Sequence, residues 1–216
     1  MSRVINIAYT RLPALVLGLL AVLVILAFSL SEPTSFSPGQ VLIIGDSITK
    51  KPAMAANQGN KGWWEYLLGG RKEMFKFSAD SGSGYVARGD HGTTFYDRLP
   101  DINRAKPKAV IIAGGVNDQH AAHPAEAIRR YYDALARTLK KNGIPTSNVY
   151  VFVPRPTGAA SGITELVKSN AERIGVNFVP IPGYETTFDS LHPDSAGAKN
   201  IKDNFANSSN FDERLR

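Results

Sequence analysis

Short apolar runs alternate with segments of helical period from Val41 onward, and this alternation restricts the fold more than any other feature. Val41-Leu42-Ile43-Ile44, Met74 to Ser78, Ala109 to Ala113, Val149 to Val153 and Val176 to Val179 each suit a short strand. Between them, Trp63 to Leu68, Thr93 to Leu99, Pro124 to Lys141 and Thr164 to Ile174 read as helices, and Ser195 to Ala206 closes the series. The longest helix is the best marked. Pro124 opens it, Ile128, Tyr131, Tyr132, Leu135 and Leu139 recur at helical spacing, and Asn142-Gly143 ends it. Five strands alternating with helices predict a parallel sheet covered on both faces. A chain of 216 residues can bury a full core without covalent staples. It contains no cysteine, which excludes disulfide frameworks, thiolate metal sites and Cys nucleophiles. No internal repeat and no second domain are visible.

Sheets of this kind bind ligands beyond the carboxyl ends of their strands. Four loops therefore carry the functional reading. They are Gly45-Asp46-Ser47-Ile48-Thr49 after the first strand, Asp80-Ser81-Gly82-Ser83-Gly84-Tyr85 after the second, Gly114-Gly115-Val116-Asn117-Asp118 after the third, and Asp189-Ser190-Leu191-His192-Pro193 before the last helix. In these blocks, in this order, the chain resembles the SGNH, or GDSL-type, hydrolases, a family of esterases, lipases and carbohydrate deacetylases. The resemblance runs through residues 41–207. It implies a flavodoxin-like three-layer α/β/α sandwich with a five-stranded parallel sheet. It also implies a catalytic triad of Ser47, Asp189 and His192, and an oxyanion hole made by the Ser47 and Gly84 backbone N–H groups and the Asn117 side-chain amide. No cofactor and no metal are expected.

The residue types suit that chemistry. A serine hydroxyl is a poor nucleophile at neutral pH and needs a neighbouring base, which His192 can supply. Asp189 can hold the other ring nitrogen and stabilise the imidazolium. A glycine at position 84 lets backbone approach a substrate closely. Each residue also has an ordinary structural use: Asp and Ser cap helices, Asn117-Asp118 suits a turn, and His192 before Pro193 suits a surface loop. Four such blocks in order, each at the end of its element, favour the catalytic reading. Asp46 is assigned to shaping the turn. Two rivals stay open: the same triad passing its acyl group to a sugar hydroxyl, and a non-catalytic envelope carbohydrate-binding module.

Leu12 to Leu30 is an uncharged run of 19 residues behind Arg3 and Arg11. As a helix it would rise about 28 Å, close to the hydrocarbon thickness of a bilayer. Residues 1–30 are expected to be a signal peptide or membrane anchor, with 31–40 a linker, 41–207 the hydrolase domain and 208–216 a polar tail that frays with Asn207. Either reading places the domain extracytoplasmically, membrane-anchored or secreted. The expected partners are an ester substrate, an acylated glycan or lipid of the cell envelope, and the membrane through the N-terminal helix. Lys and Arg number 25 against 19 Asp and Glu, a net charge of +6. Along the chain these charges are scattered and form no basic stripe with interleaved aromatics, so no nucleic acid is expected.

Other signals count for less. Gly82-Ser83-Gly84-Tyr85-Val86-Ala87 matches a dinucleotide fingerprint but follows the wrong strand. No G-x-S-x-G elbow is present. His120 and His123 are too thin a pattern for a metal, His91 stands elsewhere, Trp63-Trp64 reads as core, and Arg155 reads as a surface residue.

Overall fold

A computed structural model describes residues 39–50, 61–155, 162–185 and 190–211. The apolar run at 12–30, the linker to residue 38, Asp189 and residues 212–216 lie outside the described residues. Among the described residues no helix is long and apolar enough to cross a membrane.

The five expected strands form one parallel sheet. They are β1 (Val41–Gly45), β2 (Phe75–Ala79), β3 (Ala109–Ala113), β4 (Val149–Phe152) and β5 (Asn177–Phe178). Their spatial order is β2-β1-β3-β4-β5. The chain reverses its direction of winding between β1 and β3, so the loops after those strands open on a common crevice. Alternation along each strand sorts side chains to two faces. Val41, Ile43, Ile111, Tyr150 and Phe152 face one core, beside Trp63, Trp64 and Phe205. Leu42, Ile44, Val110, Ile112 and Val151 face the other, beside Tyr131, Tyr132 and Leu135. Among the described residues, four α-helices complete the layers: α1 (Pro100–Ala105), α2 (Pro124–Asn142), α3 (Gly162–Ile174) and α4 (Ser195–Ser209). Helix α2 ends as its sequence predicts, with Gly143 at a φ of 66° and its N–H donated to Lys140.

Local chemistry moves three boundaries. The expected helix at Thr93 to Leu99 is a 3-10 turn over Tyr96–Arg98, followed by α1. Asp97 captures both the N–H and the hydroxyl of Thr94, and Pro100 takes the first position of α1, where its missing N–H costs nothing. Trp63 to Leu68 is 3-10 rather than α, and it breaks where Leu67 turns extended and Leu68 takes a φ of 56°. The tail is also corrected in its first part. Helix α4 runs to Ser209, and Phe211 is fully buried, 5.2 Å from the Tyr150 ring and 5.3 Å from Phe205. That aromatic contact ties down the residues from Asn207 to Phe211.

Candidate active site

The turn after β1 is built by its own residues. Gly45 has no room for a β-carbon, which would overlap the Thr49 side chain. The Asp46 carboxylate accepts the Ile48 N–H at 2.9 Å, and the Asp46 carbonyl accepts the N–H groups of Thr49 and Lys50. Trp64 donates its indole N–H to the Thr49 carbonyl at 2.9 Å. Ser47 is thereby held at the tip of the turn, 6% exposed. Among the described residues its backbone N–H meets no acceptor.

His192 arrives from the other end of the chain. Its turn is fixed on both sides. The Tyr184 hydroxyl donates to the Leu191 carbonyl at 2.8 Å, and Asp194 caps α4 by accepting the Gly197 N–H at 2.7 Å. His192 Nε2 lies 2.9 Å from Ser47 Oγ. A hydroxyl within hydrogen-bond reach of an imidazole is the pairing through which a serine can be deprotonated as it attacks. Asp189 lies outside the described residues, so the geometry of the third triad position is not part of this arrangement.

The loop after β2 is organised by Asp118, which the sequence reading placed in the third block without a role of its own. The Asp118 carboxylate is fully buried and accepts three consecutive backbone N–H groups: Tyr85 at 2.8 Å, and Val86 and Ala87 at 2.9 Å each. Gly84 lies against that carboxylate, and a β-carbon there would overlap it. The glycine is required by Asp118 before any substrate is considered. Its N–H differs from the expectation, being directed to the Ala87 carbonyl at 2.9 Å. Asn117 donates one amide hydrogen to the Ser83 carbonyl at 2.9 Å, and its second hydrogen has no acceptor among the described residues. Gly115, at a φ of 120°, makes the turn that sends Asn117 back across the loop.

Arg98 is the other residue that sequence reasoning missed. Its buried guanidinium donates to the Gly45 carbonyl at 2.8 Å, to the Ser78 carbonyl, and to Ser83 Oγ at 2.6 Å. One side chain thus ties the ends of β1 and β2 to the loop that Asn117 holds. The planar fork of an arginine suits this three-way role, and a lysine ammonium would not span it as well. The only sequence signal for it was an arginine close to large apolar residues, Phe95 and Leu99.

Two carboxylates here titrate away from their ordinary range. Burial pushes Asp46 up to about 7, against the opposing pull of the Ile48 N–H, Arg98 and His192, while Asp118 pushes it further up. Its second oxygen is buried with no hydrogen-bond partner among the described residues. An acid whose folded-state pKa is raised stabilises the fold below its unfolded pKa, and that contribution is lost as pH rises through the folded value. Asp46 should therefore cost stability progressively between pH of about 4 and about 7, by up to about 4 kcal/mol. Asp46→Asn keeps an acceptor for Ile48 and cannot ionise. Urea unfolding across that window should show a flatter decline for the variant, and parallel profiles would refute the assignment. Asp80 behaves oppositely. Burial pushes it up, but the His91 ring at 2.8 Å, the Thr93 hydroxyl at 2.8 Å and the His91 N–H hold it at about 2. His91 is thus an Asp80 partner, and among the described residues no cluster of three or more metal-binding side chains occurs. His120 and His123 are exposed.

The family model described as GDSL-like lipase/acylhydrolase matches residues 43–199. No curated protein matches the chain. Among solved structures, the chain is similar to a GDSL-like lipase from Bacteroides thetaiotaomicron VPI-5482, with a TM-score of 0.52 and 16% identity over 80% of this chain and 88% of that one. It is similar to the psychrotrophic esterase EstA from Pseudoalteromonas sp., solved inhibited by monoethylphosphonate, with a TM-score of 0.53 and 18% identity over 78% of this chain and 94% of that one. It is also similar to a family two carbohydrate esterase from Cellvibrio japonicus, with a TM-score of 0.55 and 16% identity over 83% of this chain and 63% of that one. At such identities these structures bear on the fold alone.

Proposed function

Because the chain belongs to the GDSL-like lipase/acylhydrolase family, and is an SGNH-type hydrolase by that membership, we propose that it is an extracytoplasmic serine esterase that cleaves an ester through an acyl-enzyme. The observation that carries this reading is the 2.9 Å approach of His192 Nε2 to Ser47 Oγ. Ser47 Oγ attacks the ester carbonyl as His192 takes its proton. The same proton then passes to the departing alcohol oxygen. Water, deprotonated by His192, releases the acid and restores the Ser47 hydroxyl. Asp189 is assigned to orient the imidazole. The open Ser47 N–H and the second Asn117 amide hydrogen are the nearest supply of donors for the oxyanion. Gly84 joins them when its N–H is released from the Ala87 carbonyl. The substrate class that fits an envelope-facing domain is an acylated glycan or lipid, and residues 1–30 are the anchor or leader that takes the domain there.

A serine-directed phosphonate tests the nucleophile without a natural substrate. The expected result is one covalent adduct, mapped by peptide mass spectrometry to the segment holding Ser47. An unmodified, folded protein after prolonged exposure would remove the esterase reading in favour of a non-catalytic module.

A further inference from the structure

Because the five strands are parallel and in register, every strand begins on one edge of the sheet and ends on the other. Ser47 and His192 lie beyond the carboxyl ends. The amino-terminal edge has a different character. Arg71 and Lys72 precede β2, Lys106 and Lys108 precede β3, and Lys140 and Lys141 lie at the end of α2 before β4. All six are exposed. Lys72 is bridged to the buried Glu65 at 2.7 Å, and nearby Arg104 and Arg173 are bridged to Asp101 and Asp133. Among the described residues of the strand-entry segments, with the helix end before β5 included, Glu73 and Glu172 are the exposed carboxylates.

The segments form a continuous surface. Gly39 donates to the Glu73 carbonyl at 2.6 Å, and Lys108 to the Gln40 carbonyl at 2.8 Å. The Asn148 side chain donates to the Lys108 carbonyl at 3.1 Å, and Asn142 to Asn103 at 2.7 Å. The charges toward the catalytic edge are mixed: Asp90 and Glu185 are exposed there, and Arg88 is bridged to Asp97. Charges that are pairs some 35 residues apart along the chain become neighbours because they share a strand-entry edge.

We propose that this basic edge docks on a bilayer surface carrying anionic headgroups, so that the Ser47–His192 crevice opens away from the membrane. The proposal rests on the extracytoplasmic reading above. Two observations select a bilayer as the occupant. The first is charge complementarity, since each Lys or Arg near an anionic surface strengthens association about fivefold. The second is where the chain enters. The described residues begin at Gly39 on this edge, and the uncharged run ends at Leu30. The connecting residues reach at most about 30 Å. A chain anchored at 12–30 would therefore join the domain on its basic edge. Docked this way, the enzyme takes esters that stand out from the surface, such as acyl groups on envelope glycans, and not esters within the bilayer that anchors it.

The absence of cysteine makes single-site labelling direct. Thr146→Cys places a fluorophore on the basic edge and Gln119→Cys on the catalytic edge, both at exposed positions. The full chain is reconstituted in vesicles of phosphatidylcholine alone or with about one-third phosphatidylglycerol, with a headgroup-attached quencher. In anionic vesicles at about 0.05 M salt, quenching at position 146 should exceed that at 119 by about threefold or more. The excess should vanish at about 0.5 M salt and in the triple variant K106E/K140E/K141E, whose fold is checked by circular dichroism. Equal quenching at the two positions, stronger quenching at 119, or indifference to salt and charge reversal would overturn the proposal. So would tighter binding to a soluble polyanion than to the vesicles. N-terminal mass analysis separates the two readings. If residues 1–30 are removed, the anchor fails, and quenching at 146 by anionic vesicles then decides the basic edge by itself. Loss of phosphonate labelling would bear on Ser47 and not on this surface.

Discussion

Turnover of p-nitrophenyl acetate should fall by at least about 10⁴-fold when Ser47 is replaced by alanine. Without Oγ no acyl-enzyme can form, and what remains is oxyanion stabilisation acting on free water. His192→Ala should cost a similar factor, because the hydroxyl then has no base 2.9 Å away. The informative variant is the double one. Two residues that act as a unit cannot be lost twice, so Ser47→Ala/His192→Ala should be no slower than the worse single variant. Additive losses would mean that the two side chains act in separate steps. More than about a tenth of wild-type activity in Ser47→Ala would remove the mechanism altogether. Both variants should keep wild-type stability to within about 1 kcal/mol, since neither side chain supports the core.

Asp118→Ala should give the largest stability effect of any single change near the site. The carboxylate satisfies three backbone N–H groups, and removing it leaves the buried Tyr85 N–H and the partly buried Val86 and Ala87 N–H groups without that acceptor. A loss of about 3–5 kcal/mol in urea unfolding at neutral pH is expected, a large share of the roughly 5–15 kcal/mol that a domain holds. Asp118→Asn keeps the volume but presents an amide NH2 to one of those donors, so it should lose an intermediate amount. Gly84→Ala should resemble the alanine variant in kind, because its β-carbon would displace the same carboxylate. A loss below about 1 kcal/mol for Asp118→Ala would show that water replaces the carboxylate and that the loop does not depend on it. Activity should fall with stability in all three, since Asn117 lies beside Asp118 and holds the Ser83 carbonyl of the same loop.

The apolar runs by themselves determined the fold class. Each expected strand is present, with ends shifted by a residue or two, because burial on both faces leaves a signature readable in a short window. β5 is the partial exception. It is two residues long, but Val179 still donates to the Val151 carbonyl beyond it. The blocks at Ser47, Asn117 and His192 were legible for a similar reason, as each sits where a local element ends. What sequence could not supply was anything decided by strand order. Ser47 meets His192 across 145 positions, Arg98 meets Gly45 across 53, and Asp118 meets Tyr85 across 33. Asp118 was given no role of its own and Arg98 was passed over because most of their partners are backbone groups, which have no identity in a sequence. The lysines and arginines looked scattered for the same reason. A helical or strand period reports only neighbours a few residues away, whereas a parallel sheet aligns residues one whole strand–helix unit apart. That alignment is a tertiary fact, and it placed both the Ser47–His192 pair and the basic edge.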